Sequence, residues 1–300
     1  SFREFYRNRE NKSIIVISKK EKLKNLLIYD AINKILVKNK ILAPNLLSEN
    51  YINNCIEIND FGEQTLFQIL KNKRNNKYIF FKKIIKILNK IQSIKDKKVK
   101  NFKNKLYKIQ EYNNKILIDE TILFCDWYAP KILSRLKSIK FKKKFKLEIK
   151  NLLSKLNYKN VTFVHRDFHV SNLMYYNKKI AVIDSQDALI GNRAYDLASL
   201  IDDVRLNTSN ELKEKVFRFY IKTNKKIDLE KFKKDFEILS VLRNLKIIGI
   251  FTRLAVRDKK KKYLKLIPYA WKMINYRIKD QNEFHKLMLL LKNNFPKFVR

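Results

Sequence analysis

Three glycines in 300 residues, Gly62, Gly191 and Gly249, constrain this chain more than any other feature. Glycine supplies the left-handed backbone of tight turns and lets main chain approach a phosphate closely. With the three so far apart, the sequence contains neither a Walker loop nor a dinucleotide-binding fingerprint. Any nucleotide must be gripped without a glycine cradle. The same scarcity, with only four prolines, excludes collagen-like, mucin-like and flexible-linker chains. A folded body remains: 45% of residues are hydrophobic and 12% aromatic, enough for one large domain or two smaller lobes.

A formal charge of +39 points first to a nucleic-acid partner. Its distribution argues otherwise. Of the 68 basic residues 54 are Lys, and with the many Ile and Asn they read as the drift of AT-rich codons. In residues 76–94, Phe81, Ile84, Ile85, Leu88 and Ile91 form an apolar stripe at helical spacing, while Lys82, Lys83, Lys86 and Lys90 fall mostly off it, as a solvated face does. Residues 161–206 break the trend. Five basic residues there meet six carboxylates (Asp167, Asp184, Asp187, Asp196, Asp202 and Asp203), a net charge of −1 that leaves +40 for the rest. An acidic island in a basic chain is where a metal or a general base is expected.

Cys55 and Cys125 stand seventy positions apart without a CxxC, and His165, His169 and His285 form no zinc pattern with them. A reducing, cytoplasmic compartment is expected. No apolar run of about 18 residues suits a membrane span. The opening Ser1-Phe2-Arg3-Glu4 lacks a signal-peptide core, and a start at Ser rather than Met implies that a few residues are missing.

The pattern predicts a hairpin from residues 2–7 and 13–18, a helix over 21–38 closed by Pro44, and strands at 46–47 and 55–58. Asn59-Asp60-Phe61-Gly62 is a turn that would serve as a hinge. Residues 63–158 read as helical throughout. The apolar run 161–164 then gives way to a polar loop and short strands near 173–176 and 180–183, and helical periodicity returns from Asp196, interrupted by the basic loop 258–262. The expected architecture is α+β: a small β-rich lobe over 1–61, then a large, mostly helical lobe over 62–300 that carries a β-island at 161–184.

The island holds the chemistry. Val164-His165-Arg166-Asp167-Phe168-His169-Val170-Ser171-Asn172 precedes Ile180-Ala181-Val182-Ile183-Asp184. A carboxylate on a loop after a strand, a carboxamide five residues later and a second carboxylate at the end of the next hairpin can converge on one point. Magnesium prefers oxygen ligands and keeps several waters, so Asn172 and Asp184 suffice on the protein side when phosphates complete the shell. Phosphoryl transfer makes little covalent demand, so one carboxylate, Asp167, can orient an acceptor hydroxyl and take its proton.

His165-Arg166-Asp167 through Asn172 resembles the catalytic loop H-x-D-x-x-x-x-N of the two-lobed protein-kinase-like fold, with Asp184 where that fold has its metal-binding Asp. "HRDFHVSNLM", "VIDSQDALIGNRAYDLASLIDD", "CDWYAP" and "RNLKIIGIFTRLAVRD" together resemble the aminoglycoside-phosphotransferase-like family. Within it they look nearest to the bacterial anomeric kinases that phosphorylate N-acetylmuramate and N-acetylglucosamine at the 1-hydroxyl for peptidoglycan recycling. "SFREFYR" is similar to the family's first strand and nucleotide-covering turn, so the likeness covers nearly the whole chain. It implies an ATP- and Mg-dependent small-molecule kinase with Asp167 as catalytic base, His165 bracing the loop, and Asn172 and Asp184 as metal ligands. Asp196 matches a family Asp that anchors the catalytic loop, a role an Asp at a helix N-terminus can also fill by accepting loop N–H groups.

Two departures stand out. The strand lysine of V-A-I-K has no clean counterpart, because Ile14-Ile15-Val16-Ile17 ends in Ser18, with Lys19 and Lys20 beyond. Phosphates would then fall to Arg3 or Arg7 and to backbone amides. Asp184-Ser185-Gln186 replaces D-F-G, which removes the Phe packing switch and with it any expectation of activation-loop control. Five positions admit two readings each. His169 and the pair Gln186 and Asp187 would touch the sugar or satisfy loop hydrogen bonds; Asp126 and Trp127 would line a sugar pocket or pack in a helix. Arg243, Asn244, Arg253 and Arg257 read as surface or inter-helix contacts rather than ligands. The competing functions are an aminoglycoside or a choline- or homoserine-type kinase, and a non-catalytic binder of nucleic acid or anionic surfaces. A polycationic aminoglycoside calls for an acidic acceptor lobe, which the basic helical lobe is not.

Overall fold

The computed structural model of the protein describes residues 3–72, 74–279 and 281–299. Phe2, expected to begin the first strand, lies outside them. The chain divides into two compact units, one taking in residues up to Glu111 together with Val161–Asp196, the other Tyr112–Asn160 and Leu197 onward.

In the first unit β1 (Arg3–Asn8) and β2 (Ser13–Ser18) pair antiparallel, with Arg3 opposite Ser18. β3 (Leu46–Asn50) and β4 (Cys55–Asn59) complete an antiparallel sheet of order β1-β2-β4-β3. α1 (Lys24–Lys38) buries Leu26 and Tyr29 with Val16, Ile56 and Ile58 of the sheet, so alternation on the strands and helical spacing on α1 meet in one core. Without glycines, the turns recruit other residues into the left-handed region. Lys12, Lys40, Asn54, Asn104, Asn177 and Lys178 all have φ between 47° and 60°. Asn tolerates this conformation better than most side chains, and Lys at least avoids β-branching.

α2 (Leu66–Lys71) starts in a capping box in which Thr65 and Gln68 satisfy each other's backbone N–H. α3 (Lys77–Gln92) buries the expected stripe of Phe81, Ile84, Ile85, Leu88 and Ile91 and exposes Lys83, Lys86 and Lys90. The expectation of unbroken helix over 63–158 fails after α3. β5 (Lys98–Lys100) and β6 (Leu106–Lys108) form a hairpin whose turn is built by the Asn101 side chain accepting from the N–H groups of Lys103 and Lys105. Three-residue strands are too short to show a period of two, and side-chain turn chemistry decided the segment. β8 (Leu173–Tyr176) pairs with β9 (Lys179–Val182) where the island expects short strands, and β7 (Thr162–Val164) pairs with β10 (Leu189–Gly191), a strand beyond the expected bounds.

The second unit is helical: α4 (Asn114–Thr121), α5 (Arg135–Leu153), α7 (Asn210–Lys222), α8 (Leu229–Val256), α9 (Ile267–Ile278) and α10 (His285–Asn294). α6 (Ala194–Ile201) begins in the first unit and ends in this one. A widened helical turn at Phe124–Tyr128 sets Phe124 among aromatics, with ring centroids 5.7 Å from Trp271, 5.6 Å from Phe145 and 5.3 Å from Phe295. Gly249 of α8 makes this possible: a Cβ there would lie 2.3 Å from the carbonyl carbon of Leu123. Asp202, fully buried, accepts from Arg277 Nε at 2.8 Å, Lys213 Nζ at 3.2 Å and Ser240 Oγ at 2.6 Å. Arg243 and Asn244 are buried in α8, Asn244 donating to the carbonyl of Ser240, while Arg257 pairs in the open with Asp258. No helix among the described residues is long and apolar enough to cross a membrane.

Candidate active site

The loop after β7 is held by one carboxylate. Asp196, fully buried in the first turn of α6, accepts from the backbone N–H of His165 at 2.7 Å and of Arg166 at 3.0 Å. This grip keeps Arg166 at φ 72°, a left-handed conformation that costs a side-chain-bearing residue about 1–2 kcal/mol. The turn that follows presents Asp167 half-buried. Its carbonyl accepts from the backbone N–H of His169 at 3.0 Å and from Asn172 Nδ2 at 3.1 Å.

Two further bonds tie this loop to Asp184. Ile183 donates its N–H to the carbonyl of Asn172 at 3.1 Å, and His165 Nε2 lies 3.1 Å from the carbonyl of Ile183. A carbonyl only accepts, so Nε2 carries the ring proton. Burial holds the His165 pKa below its usual value against the pull of the nearby Asp167 and Asp184 charges, so the ring is a neutral strut. Asp167, Asn172 and Asp184, seventeen positions apart at their extremes, are thereby fixed by one hydrogen-bonded frame.

Asp184 itself sits at φ 62°. Its Oδ1 accepts from Arg3 Nη2 at 3.2 Å and from Gln186 Nε2 at 3.1 Å, and Arg3 Nη1 donates to Gln186 Oε1 at 3.0 Å. Arg3 is buried, with its guanidinium 5.3 Å from the ring centroid of Tyr29. Pairing opposite Ser18 delivers it there: β1 supplies the cation from the strand beside the one on which a kinase lysine was sought. Lys19 and Lys20 are exposed beyond the end of β2. Arg7 bonds the carboxylates of Asp60 and Glu63 and the carbonyl of Gly62, closing the turn at 59–62 onto β1.

These groups face a cavity of about 420 Å³. Ile14, Ile58, Phe61, Met174 and Ile183 line its apolar wall, and Arg3, Arg7, Asn172 and Asp184 its polar one. A concave, largely apolar slot with a few convergent polar groups is the form small-molecule sites take. The donor set suits a hard cation. Asn172 donates from Nδ2 to the loop, which turns the amide so that its Oδ1 is the end left to offer, and Asp184 Oδ2 makes no hydrogen bond among the described residues. Two protein oxygens of this kind fit magnesium in a shell completed by water and phosphate. Among the described residues no group of three or more His, Cys, Asp or Glu is arranged to hold a metal.

The remaining candidates divide. His169 is buried beside the loop, and Gln186 is buried against Arg3, Asp184 and the Asp187 carboxylate. Asp187 is exposed, and its carbonyl accepts from Arg166 Nη1 at 3.0 Å. Asp126 and Trp127 belong to the second unit, where Lys142 Nζ lies 2.6 Å from Asp126 and Trp127 is half-buried. Two residues escaped the sequence reading. Tyr29 stacks under Arg3, its pKa pushed up to about 12 by burial against the lowering effect of Arg3, and Asn33 Oδ1 accepts from Ser185 Oγ at 2.7 Å. The available signal was polar residues, Asp30 and Asn33, on the otherwise apolar face of α1.

The chain is similar in sequence and in fold to known phosphotransferases and kinases. The chain is 34% identical over 174 residues to an N-acetylmuramate/N-acetylglucosamine kinase of Neisseria meningitidis, covering 56% of this chain and 51% of that one, so it meets about half of that relative's length. It is 26% identical over 302 residues to the protein of the same name from Pseudomonas aeruginosa, covering 97% and 85%. Among solved structures it is similar to a choline/ethanolamine kinase family protein from Mesorhizobium loti (TM-score 0.65, 11% identity, 98% and 90% covered). It is also similar to ADP-bound aminoglycoside phosphotransferase APH(2'')-Ib (TM-score 0.60, 17% identity, 91% of each covered). At such identities the likeness carries the fold, the two-lobed α+β arrangement of kinase-like phosphotransferases. The sequence pattern of the phosphotransferase enzyme family matches residues 63–232, more than half of the chain and the whole of the loop built around Asp167, and the chain belongs to that family.

Proposed function

We propose that this phosphotransferase is an ATP- and Mg-dependent kinase of amino sugars such as N-acetylmuramate and N-acetylglucosamine, acting at the anomeric hydroxyl. The observation that carries the reading is the single frame of hydrogen bonds that fixes Asp167, Asn172 and Asp184 together. The names of the Neisseria and Pseudomonas relatives support the acceptor class. In this reading residues 1–61 form the nucleotide lobe and 62–300 the helical lobe, with catalysis on the island 161–184.

Asp167 accepts the proton of the acceptor hydroxyl as that oxygen attacks the terminal phosphorus of ATP and the bond to the bridging oxygen breaks, releasing ADP. The turn bonded to its carbonyl sets its direction. Asn172 and Asp184 offer the two oxygens for magnesium, which when bound neutralises phosphate charge. Arg3 and Arg7 line the polar wall and replace the missing glycine cradle with guanidinium donors, which bind phosphate oxygens bidentately. The apolar wall of Ile58, Phe61 and Met174 receives the base. Asp196 and His165 keep the frame in register, and His169, Gln186, Asp187, Asp126 and Trp127 are the candidates for contact with the sugar.

The test is transfer by purified Asp167→Asn and Asp184→Asn, with N-acetylmuramate and N-acetylglucosamine as acceptors and the product identified as a 1-phosphate by phosphorus NMR. Loss of the base should lower kcat by on the order of 10²–10⁴. Turnover within a few fold of the parent in either variant, both folded by circular dichroism, refutes the assignment.

A further inference from the structure

α5 has an outward face unlike that of a solvated helix. Its buried side carries Phe141, Phe145, Ile149, Leu152 and Leu153. On the opposite side Leu136, Ile139 and Leu147 are 73%, 61% and 58% exposed. At 100° per residue these three fall along one line with Lys143 and Lys150, flanked by Lys140 and Lys144 on one side and Lys146 on the other. All five of these lysines are exposed. Among the described residues, Lys142 is the one cation of α5 paired with an acid, Asp126. Beside the seam opens a groove of about 570 Å³, lined by Ile132, Lys137, Lys140 and Lys144 on the α5 side and Leu290 on the α10 side. α3 shows what an ordinary basic helix of this chain looks like: Lys83, Lys86 and Lys90 face outward, with Ile79 at the helix start its one exposed large aliphatic.

We propose that the outward face of α5 is a docking surface for an anionic lipid bilayer. Exposed aliphatics in line, bordered by exposed lysines long enough to lay their stems on an apolar surface and keep their ammonium groups in water, are the composition of an interfacial amphipathic helix. Charge complementarity selects the occupant. A second copy of the chain would set lysines against lysines, which like charges forbid. A nucleic acid would take the lysines but leave three aliphatics without a partner, and the face offers no aromatic ring for a base to stack on. An anionic bilayer satisfies both, with phosphates for the ammonium groups and the headgroup–acyl boundary for Leu136, Ile139 and Leu147. The groove beside the seam suits a single phosphate headgroup between Lys137, Lys140 and Lys144. This surface is independent of the phosphotransfer reading and stands or falls without it.

The test is co-sedimentation of the full chain with vesicles of phosphatidylcholine alone and of phosphatidylcholine mixed with phosphatidylglycerol. The parent should pellet with the mixed vesicles only, and less as salt rises. At about 1 kcal/mol per lysine near the surface, Lys140→Gln, Lys143→Gln, Lys144→Gln and Lys146→Gln together should weaken partitioning on the order of 1,000-fold. Leu136→Ser, Ile139→Ser and Leu147→Ser together should weaken it on the order of 10-fold. Lys83→Gln, Lys86→Gln and Lys90→Gln on α3 should change it by less than about twofold. The proposal is overturned by absence of pelleting, by an aliphatic variant that binds like the parent, or by an α3 variant that loses as much as the α5 one, since either of the last two would reduce binding to bulk charge. It is also overturned if single-stranded RNA binds the parent and loses affinity with the serine variant, which would assign the same face to nucleic acid.

Discussion

Gly249→Ala tests a close approach of backbone to backbone in the second unit. In an ordinary helix interior this change stabilises, by about 1 kcal/mol, because alanine has the better helix propensity. Here the new methyl would lie 2.3 Å from the carbonyl carbon of Leu123 and 2.5 Å from both its oxygen and the nitrogen of Phe124. Carbon contacts relax near 3.5–4.0 Å, so about 1 Å of separation must be found. No flexible side chain can yield it, because every near atom is main chain. Either α8 moves off or the turn Phe124–Tyr128 does, and that turn places Phe124 in its aromatic cluster. Overpacking costs about 1–3 kcal/mol when side chains can adjust, and more when they cannot. Setting the propensity gain against the upper end of that range gives a net loss of about 2 kcal/mol or more. Urea unfolding followed by tryptophan fluorescence reports on this unit by itself, because both tryptophans, Trp127 and Trp271, belong to it. A lower midpoint at unchanged slope is expected. Gly62→Ala is the contrast: nothing lies within 4 Å of its new Cβ, and the cost is the φ of +75° alone, about 1 kcal/mol. If the Gly249 variant proves as stable as its parent, or more so, the close approach is refuted.

Further perturbations probe the buried polar groups. Asp196→Asn keeps one acceptor and turns an amide donor toward a backbone N–H, so it should cost about 2–3 kcal/mol and lower kcat far more than it raises KM; a KM effect alone would contradict the anchoring role. Asp202→Asn strands Arg277 and Lys213 in the interior and should cost about 3–5 kcal/mol, measured as a shifted urea midpoint. Burial alone would raise the Asp202 pKa, but Arg277 and Lys213 overcome it and hold the carboxyl well below the usual range. Its contribution is therefore complete above about pH 4 and fades only in stronger acid. Glu237 has the opposite sign, its pKa pushed up to about 7 chiefly by burial. The unfolded chain releases that proton first, so stability falls as pH rises from about 4.5 to 7, and Glu237→Gln should gain about 1–2 kcal/mol at pH 8 and nothing at pH 4. Equal gains at the two pH values would contradict that origin.

The island 161–184 was legible because its signal is local. β8 falls on the expected residues, β9 is shifted by a single residue, and the loop residues carry their own chemistry. The hairpin of β5 and β6 was not, since its turn depends on the side chain of Asn101 and its strands are shorter than any period. The pairing of Arg3 with Asp184 spans 181 positions and depends on strand register, which no window of sequence reveals. Arg243 and Asn244 read as surface or inter-helix contacts, and the structure buries both; the sequence left the two open because α8 is enclosed on nearly every side through its middle and lacks the single apolar stripe that would mark an orientation. The contact of Asn33 with Ser185 was hidden for the same reason as Arg3: its partner lies 152 positions away.

The forked guanidinium contacts bear on how such a chain tolerates change. Lysine is almost four times as common as arginine, 54 against 14, yet the forked contacts fall to the rarer residue. Arg3 spans Asp184 and Gln186, Arg7 spans Asp60 and Glu63, and Arg277 grips both oxygens of Asp202. Lysine offers a point charge and cannot reproduce a planar fork, so at these positions the substitution that drift most readily supplies is the one the geometry resists. In a lysine-saturated protein an arginine is therefore the more informative letter: it marks where direction, and not charge alone, is required.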